Sequence, residues 1–195
     1  MQLSRRQSLV FGLAAGFNFC AAAQDNALKN TLSPDLEISK HLQHHLIAPR
    51  VVGKGLFSVW GLDIYQATLW GGEKMLHSEN WQTQRLALEL RYARDFDGKD
   101  IAKRSIDEIH AQSPLTQDKA QAWLNTLEGL FPSVRKNHTL TGIYLPAASS
   151  PFLFNDKVIG SINDAELAQR FFAIWLSPKT SAPKLRRQLL GGTSQ

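Results

Sequence analysis

The hydrophobic pattern of the chain changes period several times, and these changes separate strands from helices. Residues 51–70 combine β-branched and aromatic side chains with several glycines, which predicts strands with bends. Apolar and polar positions alternate over residues 85–92, which predicts a strand with one face packed and one face in water. Residues 139–145 and 151–162 again have strand composition, and Asn155-Asp156-Lys157 predicts a hairpin turn within the second of them.

Helical spacing predicts four helices around these strands. Residues 100–112 and 114–129 repeat apolar side chains at three- and four-residue steps. Asn163 and Glu166 form a capping box that predicts the start of a third helix, and Pro183 starts a fourth. Because strands and helices occur in blocks and do not alternate singly, we predict an α+β fold in which helices cover one face of an antiparallel sheet.

The large aromatic residues mostly fall at periodic positions in these elements. Such residues usually pack in a core, so we expect this group between the sheet and the helices, with some members lining a cleft. The group consists of Trp60, Trp70, Trp123, Phe171, Phe172 and Trp175.

Composition supports one folded domain and argues against nucleic acid as a partner. The chain has 195 residues, of which 43% are hydrophobic and 20% charged, so neither a disordered nor a collagen-like chain fits. The net charge of +5 is small and scattered, whereas nucleic-acid binding calls for a basic patch. A mixed-charge run over residues 91–104 is interpreted as a solvated strand exit and helix start.

The N-terminal segment has the order of regions found in an export signal. Arg5 and Arg6 precede a mostly apolar stretch over residues 8–19, and small residues at 21–23 follow. We predict a signal peptide over residues 1–23, cleavage after Ala23, and export to the periplasm; a buried N-terminal helix is the alternative. Residues 24–49 form a polar extension and residues 50–192 the domain. No stretch is long enough to be a transmembrane segment.

The sequence offers little for metal or nucleotide chemistry. The only cysteine, Cys20, lies within the predicted signal peptide, so the mature chain has no thiol ligand. His41, His44 and His45 are close together but lack a further ligand at a fitting spacing, and solvated histidines are the simpler interpretation. Gly53-Lys54-Gly55 precedes a strand and lacks the Lys-Ser/Thr ending of a phosphate loop. We therefore predict neither a metal nor a cofactor.

Seven segments together resemble the bacterial chalcone isomerase-like proteins. They run in the order of that family from Val51 to Gly191: VVGKGLFSVWGLDIYQATLW, LALELRYARDF, DIAKRSIDEIH, WLNTLEGLFPSV, LTGIYLP, FLFNDKVIGSINDAELAQRFFAIWL and PKLRRQLLG. The resemblance implies an open-faced sandwich, with a large antiparallel sheet, helices on one side and a ligand cleft between the two layers.

The resemblance also implies a site near the start of the sheet. Plant chalcone isomerases and their fatty-acid-binding relatives use an Arg and a hydroxyl residue there, and Tyr65 stands at the hydroxyl position. An Arg fork can neutralise a carboxylate or a developing oxyanion, and a phenol or alcohol can donate a short hydrogen bond to it. The Arg has no counterpart, since residues 56–58 are Leu-Phe-Ser, and the nearest cations are Lys54 and Arg50.

Two further positions depart from the plant enzymes. Ile101 stands where they have a catalytic Tyr, and Glu108 where they have Asn. These departures argue against chalcone isomerase activity itself and leave Glu108 as the one further candidate for a polar group in the cleft.

The sequence thus predicts an exported, non-catalytic protein that binds a small apolar ligand, possibly a fatty-acid-like carboxylate. Tyr65 would donate the orienting hydrogen bond, and Lys54 or Arg50 would offset negative charge. Tyr65 could equally be an ordinary half-buried strand tyrosine. One alternative is an intramolecular lyase or isomerase of chalcone isomerase type, with Tyr65 as general acid or oxyanion donor. Another is a structural or partner-binding envelope protein whose cleft is filled by its own side chains.

Overall fold

A computed structural model describes residues 42–191 except for residues 75 and 78. The predicted signal peptide and residues 24–41 of the extension lie outside the described residues. In the described part of the extension, Leu42 and Leu46 are buried against the sheet.

Six antiparallel strands form one sheet in which neighbours in sequence are neighbours in space. The single segment predicted over residues 51–70 is a hairpin of two strands, joined at Trp60-Gly61, and the other predicted strands are confirmed. The prediction that one face of the strand over residues 85–92 is in water was wrong, because Ala87 and Glu89 on that face are 0% and 5% exposed. The strands are β1 (Arg50–Val59), β2 (Leu62–Gly71), β3 (Leu86–Tyr92), β4 (Thr139–Tyr144), β5 (Ser150–Phe154) and β6 (Lys157–Ile162).

In the described part of the chain, four α-helices lie in two pairs, one pair between β3 and β4 and the other after β6. They are α1 (Gly98–Gln112), α2 (Gln117–Leu130), α3 (Ala165–Leu176) and α4 (Pro183–Leu189). Their apolar faces and the inward residues of the sheet form the main core. The α+β architecture, with helices covering an open antiparallel sheet, is therefore as predicted.

The start of α3 differs from the prediction by one residue. Asp164, and not Asn163, is the N-cap, and its carboxylate accepts hydrogen bonds from the backbone amides of Glu166 and Leu167. Asp164 also accepts a hydrogen bond from the Trp123 indole of α2 at 2.9 Å. Both residues are good N-caps, but only the Asp carboxylate also reaches the neighbouring helix.

The Asp164 cap should make stability depend on pH. Burial alone would raise the pKa of Asp164, but hydrogen bonds from Leu167, Trp123 and Glu166 outweigh it and hold the pKa below its usual range. We expect Asp164→Ala to lower the free energy of unfolding by about 1 kcal/mol at pH 7. Because the native state binds protons less readily than the unfolded chain, this difference should be full above about pH 5 and shrink below about pH 4.

Urea unfolding at several pH values measures this effect. Asp164→Asn is the matched control, because an amide still caps the helix but does not titrate. If Asp164→Ala and Asp164→Asn lose equal amounts of stability at pH 7, and again at pH 3, the assignment of Asp164 as a titrating N-cap is contradicted.

Two of the six aromatic residues predicted to lie between the sheet and the helices lie elsewhere. Trp60 is 96% exposed at the tip of the β1–β2 hairpin, where its φ is +50°. Trp70 is buried, but it packs with Ala87 and Ile143 on the sheet face away from the helices. The alternation along β2 explains Trp70, because its neighbour Leu69 already points into the main core.

Candidate ligand cavity between sheet and helices

An open cavity of about 310 Å³ lies between the sheet and the helices. This volume is at the lower end of the range for small-molecule sites. Its floor is the inward face of β1 to β4, and its roof is α1, α3 and the segment that leads into α4. The wall consists of Phe57, Tyr65, Leu90, Tyr92, Phe96, Asp100, Ile101, Arg104, Ser105, Glu108, Leu140, Phe171, Ile174, Trp175, Ser181 and Ala182.

The same interlayer space is solid next to the cavity. Phe131, Phe152, Phe171, Phe172 and Tyr144 form a chain of ring contacts there, with centroids 5.2–6.4 Å apart. Gly142 lies below this aromatic cluster, where an added Cβ would come within 3.0 Å of the Phe152 and Phe172 rings. The free space is therefore local, and it is confined to the end of the layer near Tyr65.

Tyr65 projects into the cavity from β2. Its ring stacks on Phe57 of β1 at 5.1 Å and meets Tyr92 of β3 edge-on at 6.0 Å. Its hydroxyl oxygen accepts a hydrogen bond from the Trp175 indole of α3 at 2.9 Å. This bond joins the sheet to the helical layer and fixes the phenol in place.

Both phenols in the wall keep an unused donor. The Tyr65 hydroxyl acts as an acceptor towards Trp175, and no hydrogen bond runs from its own O–H to another described residue. The Tyr92 hydroxyl likewise has no hydrogen bond to a described residue. Since buried phenols normally find a partner, two O–H groups remain for a bound molecule.

Burial raises the pKa of every tyrosine in the chain. For Tyr65 the desolvation is partly offset by the Trp175 hydrogen bond and strengthened by the Glu108 charge. Desolvation also dominates for Tyr92, with a further contribution from Tyr65, and it raises the pKa of Tyr144. Both cavity phenols are therefore neutral donors over the physiological pH range.

We expect the phenolate absorbance of Tyr65 and Tyr92 at 295 nm to appear only with unfolding. In the unfolded chain these tyrosines lose their protons near pH 10, whereas burial keeps them protonated in the native state, so stability decreases as the pH rises above about 10. Parallel alkaline titrations by absorbance and circular dichroism measure this. Phenolate formation by more than one tyrosine at pH 10 in a fully folded chain would contradict the burial of Tyr65 and Tyr92.

Glu108 contributes the buried carboxylate of the wall. It lies on the inward side of α1 with 8% of its surface exposed. Arg104, one turn earlier, donates to Oε1, and Ser181 donates to Oε2 at 2.8 Å. Arg104, Glu108 and Ser181, with the exposed Asp100, form the polar mouth of the cavity.

Lys54 and Arg50 do not line the cavity. Gly53 and Gly55 face α4 so closely that a Cβ on either would come within 2.6 Å of Gln188, Leu185 or Leu189. Alternation along β1 then places the exposed Lys54 on the opposite face of the sheet. Arg50, at the start of β1, is exposed and donates to the Gly72 carbonyl at 3.1 Å. The structure thus brings together Tyr65 and Glu108 but neither of the two predicted cations.

Sequence reasoning missed Arg104 and Tyr92 as members of the site, and it included Trp175 only in an aromatic group of which some members were expected to line a cleft. Arg104 was included in the solvated mixed-charge run, and its side chain is indeed 70% exposed. The signal for it was its spacing of four residues before Glu108 on the predicted helix, which allows an ion pair on one face. The Tyr65–Trp175 contact joins residues 110 positions apart and has no local signal in the sequence.

The described residues show neither a cluster of metal ligands nor a helix that could span a membrane. Within residues 42–191, apart from 75 and 78, no three His, Cys, Asp or Glu side chains are placed to hold a metal ion. His41, one of the three clustered histidines, lies outside that range. None of the helices in the described part of the chain combines the length and apolar character needed to span a bilayer.

Comparison with known proteins supports the fold and the family resemblance. A Haemophilus influenzae protein described as uncharacterized is 36% identical over 108 residues, which are 55% of this chain and 52% of that protein. The chain thus spans about half the length of this relative. A crystal structure of a fatty-acid-binding protein from Arabidopsis thaliana aligns with a TM-score of 0.54 at 12% identity, covering 75% of this chain and 90% of that one. The family model for chalcone isomerase-like proteins matches residues 50–191, and the chain therefore belongs to the chalcone isomerase-like family.

Proposed function

We propose that the chain is a non-catalytic, exported protein that binds one small apolar molecule in the cavity between sheet and helices. The observation that carries the proposal is the cavity itself. An empty apolar space next to a tightly packed aromatic cluster costs stability, and a bound ligand would restore the missing contacts. The solved relative is a fatty-acid-binding protein, which supports an apolar ligand for this fold.

The wall chemistry favours an apolar ligand with one polar end. Six aromatic side chains line the space, and its polar side chains are the two phenols, Ser105, whose hydroxyl donates within its own helix, and the residues of the mouth. In this proposal Tyr65 orients the ligand by donating its free O–H, and Trp175 holds the phenol in position. Glu108 and Arg104 frame the entrance.

An isomerase is the second candidate, because Tyr65 and Glu108 line the same cavity. Two observations argue for binding and against catalysis. Burial raises the pKa of Tyr65 far from neutrality, so its phenol is a poor proton shuttle at pH 7. Both Glu108 oxygens are already hydrogen-bonded, to Arg104 and Ser181. We expect no chalcone turnover at high protein concentration; turnover that Tyr65→Phe abolishes would favour the enzyme.

Export to the periplasm is proposed from the charged, apolar and small-residue regions of residues 1–23. The mass of the chain recovered from the bacterial envelope tests it. A chain that begins at Gln24 supports export, whereas a mass that includes residues 1–23 argues against it.

Binding can be tested with the neutral fluorescent probe N-phenyl-1-naphthylamine. We expect a single saturable site per chain, from which C8 to C12 amphiphiles displace the probe. Affinity should increase about fourfold for each added methylene until the cavity is filled. Absence of saturable probe binding, together with no uptake of any chain length, would refute the proposed function.

A further inference from the structure

The charges at the cavity do not suit an anionic ligand. Among the described residues, the charged groups in the wall are Asp100, Arg104 and Glu108, so two carboxyl groups face one guanidinium. No titratable group reaches the wall from α3 or α4, and β2 and β3 contribute only the phenols of Tyr65 and Tyr92. The formal charge of the wall is therefore negative.

The one cation in this wall is already engaged. Arg104 donates to Glu108 across one turn of α1, and its side chain is 70% exposed to solvent. A ligand carboxylate would have to compete with Glu108 for this guanidinium, and solvent would screen what attraction remained. Since Glu108 is 8% exposed, removing Arg104 from it would leave a buried carboxylate short of a partner.

The interior of the cavity supplies donors without charge. Tyr65 and Tyr92 present O–H groups that no described residue accepts, and Phe57 stacks its uncharged ring on Tyr65. Neutral donors in an apolar wall can satisfy a carbonyl or ether oxygen. They compensate poorly for the desolvation of a full negative charge.

We propose that the cavity selects a neutral apolar molecule carrying a hydrogen-bond acceptor, such as a ketone or ester oxygen, and discriminates against a carboxylate. Tyr65 and Tyr92 donate to the acceptor, and Glu108 repels an anion at the mouth. This inference rests on the proposed function and specifies the class of ligand for that same site.

Competition between a matched pair of ten-carbon ligands tests the selectivity. 2-Decanone and decanoate are each titrated at pH 7 against N-phenyl-1-naphthylamine bound to the full chain. We expect 2-decanone to bind about tenfold more tightly than decanoate, or more. Decanoate that binds as tightly as the ketone overturns the inference but leaves the apolar-binding function in place. A chain that binds neither the probe nor either ligand overturns both.

Two sets of variants assign the selectivity to residues. Glu108→Gln removes the negative charge and releases Arg104, so decanoate should bind about tenfold more tightly while 2-decanone changes little. An unchanged ratio of the two affinities contradicts the role of Glu108. Tyr92→Phe should weaken 2-decanone about fivefold and leave the probe, which needs no phenol donor, unaffected. Equal weakening of ketone and probe would mean a distorted cavity and would contradict a donor role for Tyr92.

Discussion

Ser105→Phe should abolish ligand binding while the protein stays folded. Ser105 is 7% exposed on the inward side of α1 and lines the cavity, and its hydroxyl is bonded only to the Ile101 carbonyl of its own helix. A phenyl ring at this position would occupy space that the ligand needs. We expect probe affinity to fall about 30-fold or more, because ring and ligand would overlap. Fluorescence titration measures the loss.

Stability separates this effect from misfolding. Filling an existing cavity is neutral or stabilising, so the melting temperature of Ser105→Phe should equal or exceed that of the wild type. Lys103→Phe places the same ring at an exposed position of α1 and should bind the probe normally. Unchanged probe affinity in a folded Ser105→Phe protein would place the ligand elsewhere.

Phe172→Ala should be among the most destabilising single substitutions. Phe172 is fully buried in the solid part of the interlayer space, in ring contact with Tyr144, Phe152 and Phe171. Truncation there removes apolar contacts and leaves a void that the rigid neighbours cannot fill. We expect the free energy of unfolding to decrease by about 3–5 kcal/mol. Chemical denaturation measures the loss.

Phe57→Ala provides the comparison within the cavity wall. Phe57 is half-buried on the edge strand β1, and one side of its ring already faces free space. The same truncation should therefore cost about 1–2 kcal/mol, because fewer contacts are lost. Equal losses at Phe57 and Phe172 would contradict the division of the interlayer space into a solid and an open part.

The sequence predicts the elements well where a period is sustained. Alternation over residues 85–92 predicts β3, and helical spacing over residues 100–112 predicts α1. In both segments the secondary structure follows from the spacing of apolar residues within the segment itself. The same alternation places Tyr92 on one face of β3 with Leu86, Leu88 and Leu90. Its pairing with Tyr65 of β2 is a contact between strands, which the structure shows and the local pattern does not specify.

Other features depend on contacts between elements that are distant in sequence, and the local sequence pattern does not predict them. Trp60 is of a residue type that favours strands, but it lies in the turn between β1 and β2 and is exposed to solvent. Asn163 and Asp164 are both suitable N-cap residues. Asp164 is favoured by a hydrogen bond from the Trp123 indole on another helix, and this contact is not visible in the local sequence. The cavity itself is free space, which no residue type signals, so its position follows only from how α1, α3 and the sheet meet.

Native mass spectrometry of the chain purified from its own cellular compartment tests the central claim most directly. The account predicts that wild-type protein carries one small molecule, released on denaturation, and that Ser105→Phe prepared in the same way carries none. Wild-type protein that is repeatedly found bare and takes up no apolar compound, or a Ser105→Phe protein that retains the same bound mass, would contradict it.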